Sequence, residues 1–74
     1  MLSPREAEIL AWVSEGYTDG QIANAFYISE RTVRYHIYEA RLKLRAPCRA
    51  TAVKRAIQLG YSLDAPPLPV QIDR

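Results

Sequence analysis

The sequence holds few of the residues from which disulfides, metal sites and nucleophilic centres are built. Cysteine, histidine and methionine each occur once among the 74 residues. Because Cys48 has no second cysteine to pair with, no internal disulfide can form, and a lone free thiol suits a reducing compartment. His36 and Cys48 are too few to hold a metal ion. We therefore predict no metal and no cofactor.

Two further absences narrow the class of protein. No apolar run approaches the length that spans a membrane, and the N-terminus lacks the pattern of a signal peptide, so we expect a cytoplasmic protein without membrane contact. A chain of 74 residues folds around a thin core with little room for a catalytic cleft. No nucleophile with a neighbouring base and no phosphate-binding loop is present. We predict a binding module with no catalytic residues rather than an enzyme.

The chain divides into one compact domain and a short tail. We assign residues 1–61 to the domain. Residues 62–74 contain three prolines in a short polar and aliphatic run, so we expect an extended, flexible tail. The opening MLSPRE places a helix-start motif directly after Met1. We expect the chain to be an excised domain or the C-terminal part of a longer protein.

Positive charge is concentrated in the middle of the chain. The formal net charge is only +2, yet residues 29–55 carry eight of the ten Lys and Arg residues against Glu30 and Glu39. Residues 1–28 carry a net negative charge. A local basic segment of this kind is typical of a surface that binds an anionic partner such as nucleic acid.

The first half of the chain predicts two short amphipathic helices. The first begins after Ser3, which is a good N-cap, and Glu6 completes a capping box. Gly16 ends this helix. The second begins after Thr18, where Gln21 completes another capping box, and it runs for about two turns.

Two acidic residues and one tryptophan of the first helix have structural interpretations. We interpret Glu6 as a cap and Glu8 as a surface residue rather than a catalytic carboxylate pair. Trp12 is interpreted as a core anchor. His36 lies at the edge of the core stripe of the third helix, where a packed imidazole is the better interpretation.

The second half of the chain predicts a long helix and a shorter one. The third helix begins at Ser29, only two or three residues after the second, which predicts a sharp helix-turn-helix corner. It continues until Pro47, and a fourth helix runs from Cys48 or the next residue to Leu59, before Gly60. The fold class is therefore all-α, a four-helix bundle with a central helix-turn-helix. The buried row of the third helix is Val33, Ile37, Ala40 and Leu44.

The outward face of the third helix combines arginine with tyrosine. On a helical wheel centred on Val33, these side chains gather between about 80° and 200°. A solvated face usually carries mixed charges, but this face has one sign and is interleaved with tyrosine. A DNA major groove admits a helix, and Arg can bind guanine there through two hydrogen bonds. We predict that the third helix is a recognition helix. Its outward side chains are Arg31, Arg34, Tyr35, Tyr38, Arg41 and Arg45.

The fourth helix carries more apolar surface than a four-helix domain needs. Its apolar positions span about 180° of the wheel, whereas a core-facing stripe needs about 100°. The excess is either an ordinary surface of a small protein or a dimer contact, which we favour because DNA readers of this type pair on half-sites. An alternative function is a protein-interaction module, in which this face binds a protein such as an antiactivator or RNA polymerase. The positions concerned are Ala50, Ala52, Val53, Ala56, Ile57 and Leu59.

Spaced motifs along the chain resemble a known family. Three groups of residues occur in order: LSPREAEIL with a following W and G, then IA and ISERTV with H, then KL, R, A, A and G. Together they are similar to the LuxR-type helix-turn-helix domain. The likeness covers Leu2 to Gly60, and TVRYHIYEARLKL is closest to the quorum-sensing regulators. The resemblance implies a four-helix domain that binds promoter DNA as a dimer. It also implies a separate N-terminal domain that senses an acyl-homoserine lactone or receives a phosphoryl group.

The resemblance implies roles for individual residues and names partners. The positions expected to read bases are Arg34, Tyr35 and Tyr38. The residues expected at the DNA backbone, from the resemblance, the basic face or the helix caps, are Thr18, Ser29, Arg31, Thr32, Arg41, Lys43 and Arg49. The residues expected in the dimer seam are Ala50, Val53, Lys54 and Ile57. The expected partners are a palindromic promoter site in double-stranded DNA, a second copy of the chain and RNA polymerase.

Four positions depart from the family pattern. Gly20 and Gln21 stand where the family often has Lys-Glu before IA, and Gln21 can still complete the capping box. Cys48 replaces the usual Asn before Arg49 and is a poorer N-cap. Phe26 replaces Leu, which should only repack the core. None of these changes removes the basic face.

Overall fold

Four helices make up the computed structural model, which describes residues 1–63. This part of the chain contains no strand, and the third helix packs against the other three. The predicted all-α bundle with a central helix-turn-helix is confirmed. The helices are α1 at Pro4–Ser14, α2 at Asp19–Phe26, α3 at Glu30–Leu44 and α4 at Arg49–Gln58.

Polar side chains begin the first three helices, as predicted from their sequence. The hydroxyls of Ser3, Thr18 and Ser29 each accept the backbone N–H three residues later, at 3.0 to 3.1 Å. The capping boxes of α1 and α2 are complete. Cys48 precedes α4 and makes no side-chain capping bond, as expected of a poorer N-cap than the usual Asn.

The turns after α2 and α3 place non-glycine residues in the left-handed backbone region. Tyr27 has φ +57° and Arg45 has φ +53°, and no other non-glycine residue of the described part has a positive φ. In each turn the following N–H reaches back to the carbonyl five residues earlier, at 3.0 Å after α2 and 2.9 Å after α3. This hydrogen bond holds the backbone of the intervening residue in the left-handed region. That conformation costs about 1–2 kcal/mol for a residue with a Cβ. The turns after α1 and α4 instead hold Gly16 and Gly60, which adopt positive φ without that cost.

The core lies between α3 and the helices around it. The predicted inner row of α3 is buried along its whole length. Trp12 of α1 is also buried, and its ring centroid lies 5.1 Å from that of Tyr17 and 5.6 Å from that of Phe26. Trp12 is therefore the predicted core anchor. α4 contributes only the small side chains of Ala52 and Ala56 to the buried set.

Glu6 caps α1 as predicted, and its side chain is also buried, which the sequence did not indicate. Its side chain is 7% exposed, and its carboxylate accepts both the Ser3 N–H at 2.9 Å and Lys43 Nζ at 2.9 and 3.1 Å. Burial alone would raise the pKa of Glu6, but the Ser3 N–H and the Lys43 ammonium outweigh it and lower the pKa. The capping role is confirmed, and the same carboxylate also joins α1 to α3.

The C-terminal end of the described chain folds back on the N-terminus. The Tyr61 hydroxyl accepts the Leu2 N–H at 3.0 Å, and Leu63 is buried in the core. Packing therefore continues two residues past the boundary predicted at residue 61. Residues 64–74, most of the predicted flexible tail, lie outside the described residues, so that prediction stays a prediction.

Candidate nucleic-acid interface

The outer face of α3 presents arginine and tyrosine side chains to solvent. Val33 and Ile37 are 0% and 3% exposed, so the core fixes the rotation of the helix about its axis. On the opposite side Tyr35 and Tyr38 are 58% and 50% exposed, and the Arg34 side chain is 55% exposed. The three side chains predicted to read bases therefore stand together on the outside of one rigidly held helix.

The guanidinium of Arg34 lies between two carboxylates. Its Nη1 is 3.5 Å from Glu30 Oε1, one turn earlier on α3, and 3.8 Å from Asp19 Oδ2 at the start of α2. Asp19 also binds Arg49 of α4, with Nη1–Oδ1 at 2.7 Å and Nη2–Oδ2 at 3.4 Å. One carboxylate thus ties α2 to both α3 and α4. A base or phosphate that binds Arg34 must compete with Asp19 and Glu30.

Asp19 remains ionised at neutral pH in this cluster. The hydrogen bond from Arg49 is the largest influence on its pKa, and the charges of Arg49 and Arg34 act in the same direction. Together they lower the pKa of Asp19 against the opposing effect of burial. The carboxylate therefore competes for Arg34 across the physiological pH range.

Gly20 leaves space for the other carboxylate that binds Arg34. A Cβ built on Gly20 would lie 3.2 Å from Glu30 Oε2 and 3.9 Å from Thr18 Oγ1. Any larger residue there would require the Glu30 side chain to move. This departure from the family pattern therefore affects the carboxylate that pairs with Arg34 on the outward face of α3.

Three residues predicted to contact the DNA backbone lie at the N-termini of α2 and α3. The Thr18 and Ser29 hydroxyls cap α2 and α3, and the Ser29 and Thr32 hydroxyls lie 2.9 Å apart. Capping satisfies one backbone N–H in each first turn, and other first-turn N–H groups have no intrahelical partner. Thr18 and Ser29 are exposed and Thr32 is half-buried, so the two N-termini are open to an anion.

Two other predicted phosphate ligands are turned toward the protein. Lys43 binds buried Glu6, and that hydrogen bond raises the pKa of its ammonium. Arg41 donates from Nε to the carbonyl of Ala46 at 3.3 Å and from Nη2 to that of Pro47 at 2.6 Å. Arg41 therefore completes the C-terminal end of α3, and the phosphate contacts of Lys43 and Arg41 stay predictions.

The remaining cations divide by whether they already have a partner. Within residues 1–63, three cationic side chains form no ion pair or hydrogen bond with another described residue: Arg31, Arg45 and Lys54. Arg31 was predicted at the DNA backbone. Arg45 was placed on the outward face by the wheel but was given no contact. Tyr27, which is 94% exposed at the helix-turn-helix corner, was given no contact either.

The predicted dimer seam forms one side of α4. Ala50, Lys54 and Ile57 are exposed, with Ile57 at 54%, and Val53 is half-buried. A shallow groove of about 380 Å³ separates the start of this side from the end of α1. Its lining includes Val13, Ala50 and Val53. This surface is unpartnered in the isolated chain.

Two classes of site are absent from the part of the chain that the structure describes. No helix there is long and apolar enough to cross a membrane. No three His, Cys, Asp or Glu side chains there are grouped so that they could hold a metal ion.

A comparison with protein families decides the classification. The family described as bacterial regulatory proteins, luxR family, matches residues 1–56. That range contains α1, α2, the helix-turn-helix corner, the whole of α3 and most of α4.

The chain belongs to the luxR family. The resemblance seen in the sequence is confirmed, and so is the predicted class, a DNA-binding domain of the kind found in transcription regulators. The family is one of regulators rather than enzymes, and the protein-interaction module is not the favoured function.

Relatives of this luxR-family chain are transcription regulators. The quorum sensing-dependent transcriptional regulator RpaR of Rhodopseudomonas palustris is 48% identical over 59 residues, covering 80% of this chain and 24% of RpaR. The transcriptional activator SolR of Ralstonia nicotianae is 44% identical over 59 residues, covering 80% of this chain and 25% of SolR. The quorum sensing-dependent regulator VjbR of Brucella ovis is 39% identical over 66 residues, covering 89% of this chain and 25% of VjbR. The chain spans about a quarter of the length of these relatives.

Proposed function

We propose that this domain recognises a base sequence in duplex DNA by placing α3 in the major groove. The observation that carries the proposal is the common exposure of Arg34, Tyr35 and Tyr38 on a helix whose other side is held by the core. Arg34 is the strongest candidate for a specific contact, because a guanidinium can donate two hydrogen bonds to one guanine. The tyrosines contact neighbouring base edges or sugars.

The DNA backbone is bound by the groups around this helix. Arg31 is exposed and has no partner in the described part of the chain, so a phosphate can bind it without breaking an ion pair. The open N-termini of α2 and α3 add backbone N–H donors beside Thr18 and Ser29. The Arg49 side chain joins the start of α4 to Asp19 of α2, so Arg49 contributes only by releasing or sharing Asp19.

The domain acts as a homodimer on a palindromic promoter site. Ala50, Val53, Lys54 and Ile57 give α4 an unpartnered side that a second copy can cover. A two-fold axis beside this side of α4 would relate two copies of the domain. Their α3 helices would then bind half-sites about one helical turn apart. The small area of these side chains suits a dimer that becomes stable on DNA rather than free in solution.

The biological setting is a longer quorum-sensing or response regulator. This chain would be its C-terminal effector domain, acting in the cytoplasm where promoters and RNA polymerase are found. Support comes from the relatives, two of which are named quorum sensing-dependent regulators and are about four times as long as the matched segment. RNA polymerase is the further partner expected at a promoter.

The salt dependence of binding to DNA tests the proposed function. The domain would be titrated onto a short mixed-sequence duplex at increasing salt, with heparin retention as a second measurement. Binding through phosphates predicts an affinity that falls steeply with salt, with a slope of about −0.9 for each contact. Weak retention that does not respond to salt would contradict DNA binding and favour a protein partner.

A further inference from the structure

The two ends of α3 carry the strained backbone of the domain. Tyr27 lies in the turn that leads to Ser29, and Arg45 follows the last residue of α3. Both have the left-handed conformation that glycine adopts without strain, as Gly16 and Gly60 do after the other two helices. The sequence therefore retains a large side chain at both ends of α3 in spite of its backbone cost.

The Tyr27 side chain has no partner among residues 1–63. Its ring is 94% exposed, and it takes part in no ring contact or hydrogen bond within the described residues. The backbone of the turn is held by hydrogen bonds from the N–H groups of Tyr27 and Ile28, which any residue but proline could form. Strain kept at an exposed residue is a reason to look for a function outside the folded chain.

The Arg45 side chain is also free, because other arginines already satisfy the end of α3. Arg41 donates to the carbonyls of Ala46 and Pro47, and Arg55 donates to those of Leu44 and Arg45. The guanidinium of Arg45 itself forms no hydrogen bond with another described residue. It is exposed at the C-terminal end of α3, one residue after Leu44.

We propose that Tyr27 and Arg45 bind the sugar-phosphate backbone of DNA at the two ends of α3. This inference rests on the proposed function, and it extends the interface to two residues that no comparison assigns. A helix of 15 residues is about 22 Å long, whereas the major groove is about 12 Å wide. In the proposed docking α3 is inclined across the groove, so its two ends approach the phosphates on either side. Arg45 forms a charge-assisted contact there, and Tyr27 donates its hydroxyl or packs its ring on a sugar.

The test separates stability from affinity. Tyr27→Gly and Arg45→Gly remove the strain, so each should raise the melting temperature. Each should also weaken binding to a short mixed-sequence duplex several-fold, and Arg45→Gly should reduce the magnitude of the salt slope by about 0.9. Arg45→Lys should restore the slope. A purely structural role would move melting temperature and affinity in the same direction.

Two controls make the result decisive. Arg5→Gln removes the same charge from α1, where Arg5 pairs with Glu8, and should leave the salt slope unchanged. If the wild-type domain binds the duplex steeply with salt while Tyr27→Gly and Arg45→Gly keep full affinity and slope, this inference is wrong and the proposed function stands. If the wild-type domain shows no salt-dependent binding, both fail together.

Discussion

At the scale of single residues, Glu6 links the start of α1 to the recognition helix. Its carboxylate is nearly enclosed and accepts the Ser3 N–H and the Lys43 ammonium. Because its pKa is lower in the folded domain than in the unfolded chain, the ionised form stabilises the fold. That stabilisation is complete above the ordinary Glu pKa of about 4.3 and is lost as the pH falls through the lower folded-state pKa.

We predict that Glu6→Gln lowers the free energy of unfolding at neutral pH and removes part of its loss in acid. The amide keeps the size of the side chain but cannot balance the Lys43 charge. Urea unfolding at neutral pH and at pH values below about 4.3 measures both effects. Glu8→Gln is the matched control, since Glu8 is exposed and pairs only with Arg5 at 3.5 Å. Equal pH profiles for wild type and Glu6→Gln would show that Glu6 contributes nothing through its charge.

The residues that could be predicted from sequence are those whose partners are near in the chain. Ser3, Thr18 and Ser29 cap helices through N–H groups three residues away, so each motif contains both members of its contact. The links from Glu6 to Lys43 and from Asp19 to Arg49 cross 37 and 30 residues. No local spacing reveals such pairs. Lys43 and Arg49 could therefore be recognised as cations but not as cations with partners.

At the scale of secondary-structure elements, the connection from α1 to α2 contains two glycines whose replacement should change stability in opposite directions. Gly20 lies in the first turn of α2, and a Cβ there meets only the end of the flexible, 59% exposed Glu30 side chain. Gly20→Ala should therefore stabilise the domain, by up to about 1 kcal/mol. Gly16→Ala is the contrasting variant: it meets no atom within 4 Å but has φ +89°, and should destabilise by about 1 kcal/mol. Thermal unfolding compares the two, and destabilisation by Gly20→Ala would mean that Glu30 is fixed in place.

The proposed dimer seam lies on α4. Ile57 is 54% exposed, so Ile57→Glu should leave the fold intact while placing a charge in the proposed seam. We predict that this variant occupies a duplex with two half-sites mainly as a monomer, as measured by sedimentation velocity. Gln58→Glu adds the same charge at the next, exposed position on another side of α4 and should still pair. Full dimer occupancy by Ile57→Glu would place the seam elsewhere.

The elements themselves were predictable because caps, stops and periodicity are all local. The predicted stops at Gly16 and Gly60 have the positive φ that the motif requires. The wide apolar arc of α4 predicted a helix but not which of its apolar residues are buried. Ala52 and Ala56 enter the core, whereas Ile57 and Leu59 remain exposed, and periodicity could not tell which part of a wide arc would be buried.

At the scale of the whole molecule, the basic segment does not act as one uniform surface. Lys43, Arg41 and Arg49 have partners within the domain and help to join the helices. Arg31 and Arg45 have none among the described residues and face outward. Net charge and helical position predicted where positive charge would gather. Only the folded contacts separate the charges that stabilise the domain from those available to DNA.

Arg34 is the side chain through which we propose that α3 reads bases. The direct measurement is selection of binding sites from random-sequence duplexes by the wild-type domain and by Arg34→Ala, followed by gel-shift titration of the selected site. We predict a two-fold symmetric site for the wild type. Arg34→Ala should lose preference at one base pair in each half-site and bind the wild-type site about 1–3 kcal/mol more weakly. Selection of the same sequence by Arg34→Ala, with unchanged affinity, would contradict the account.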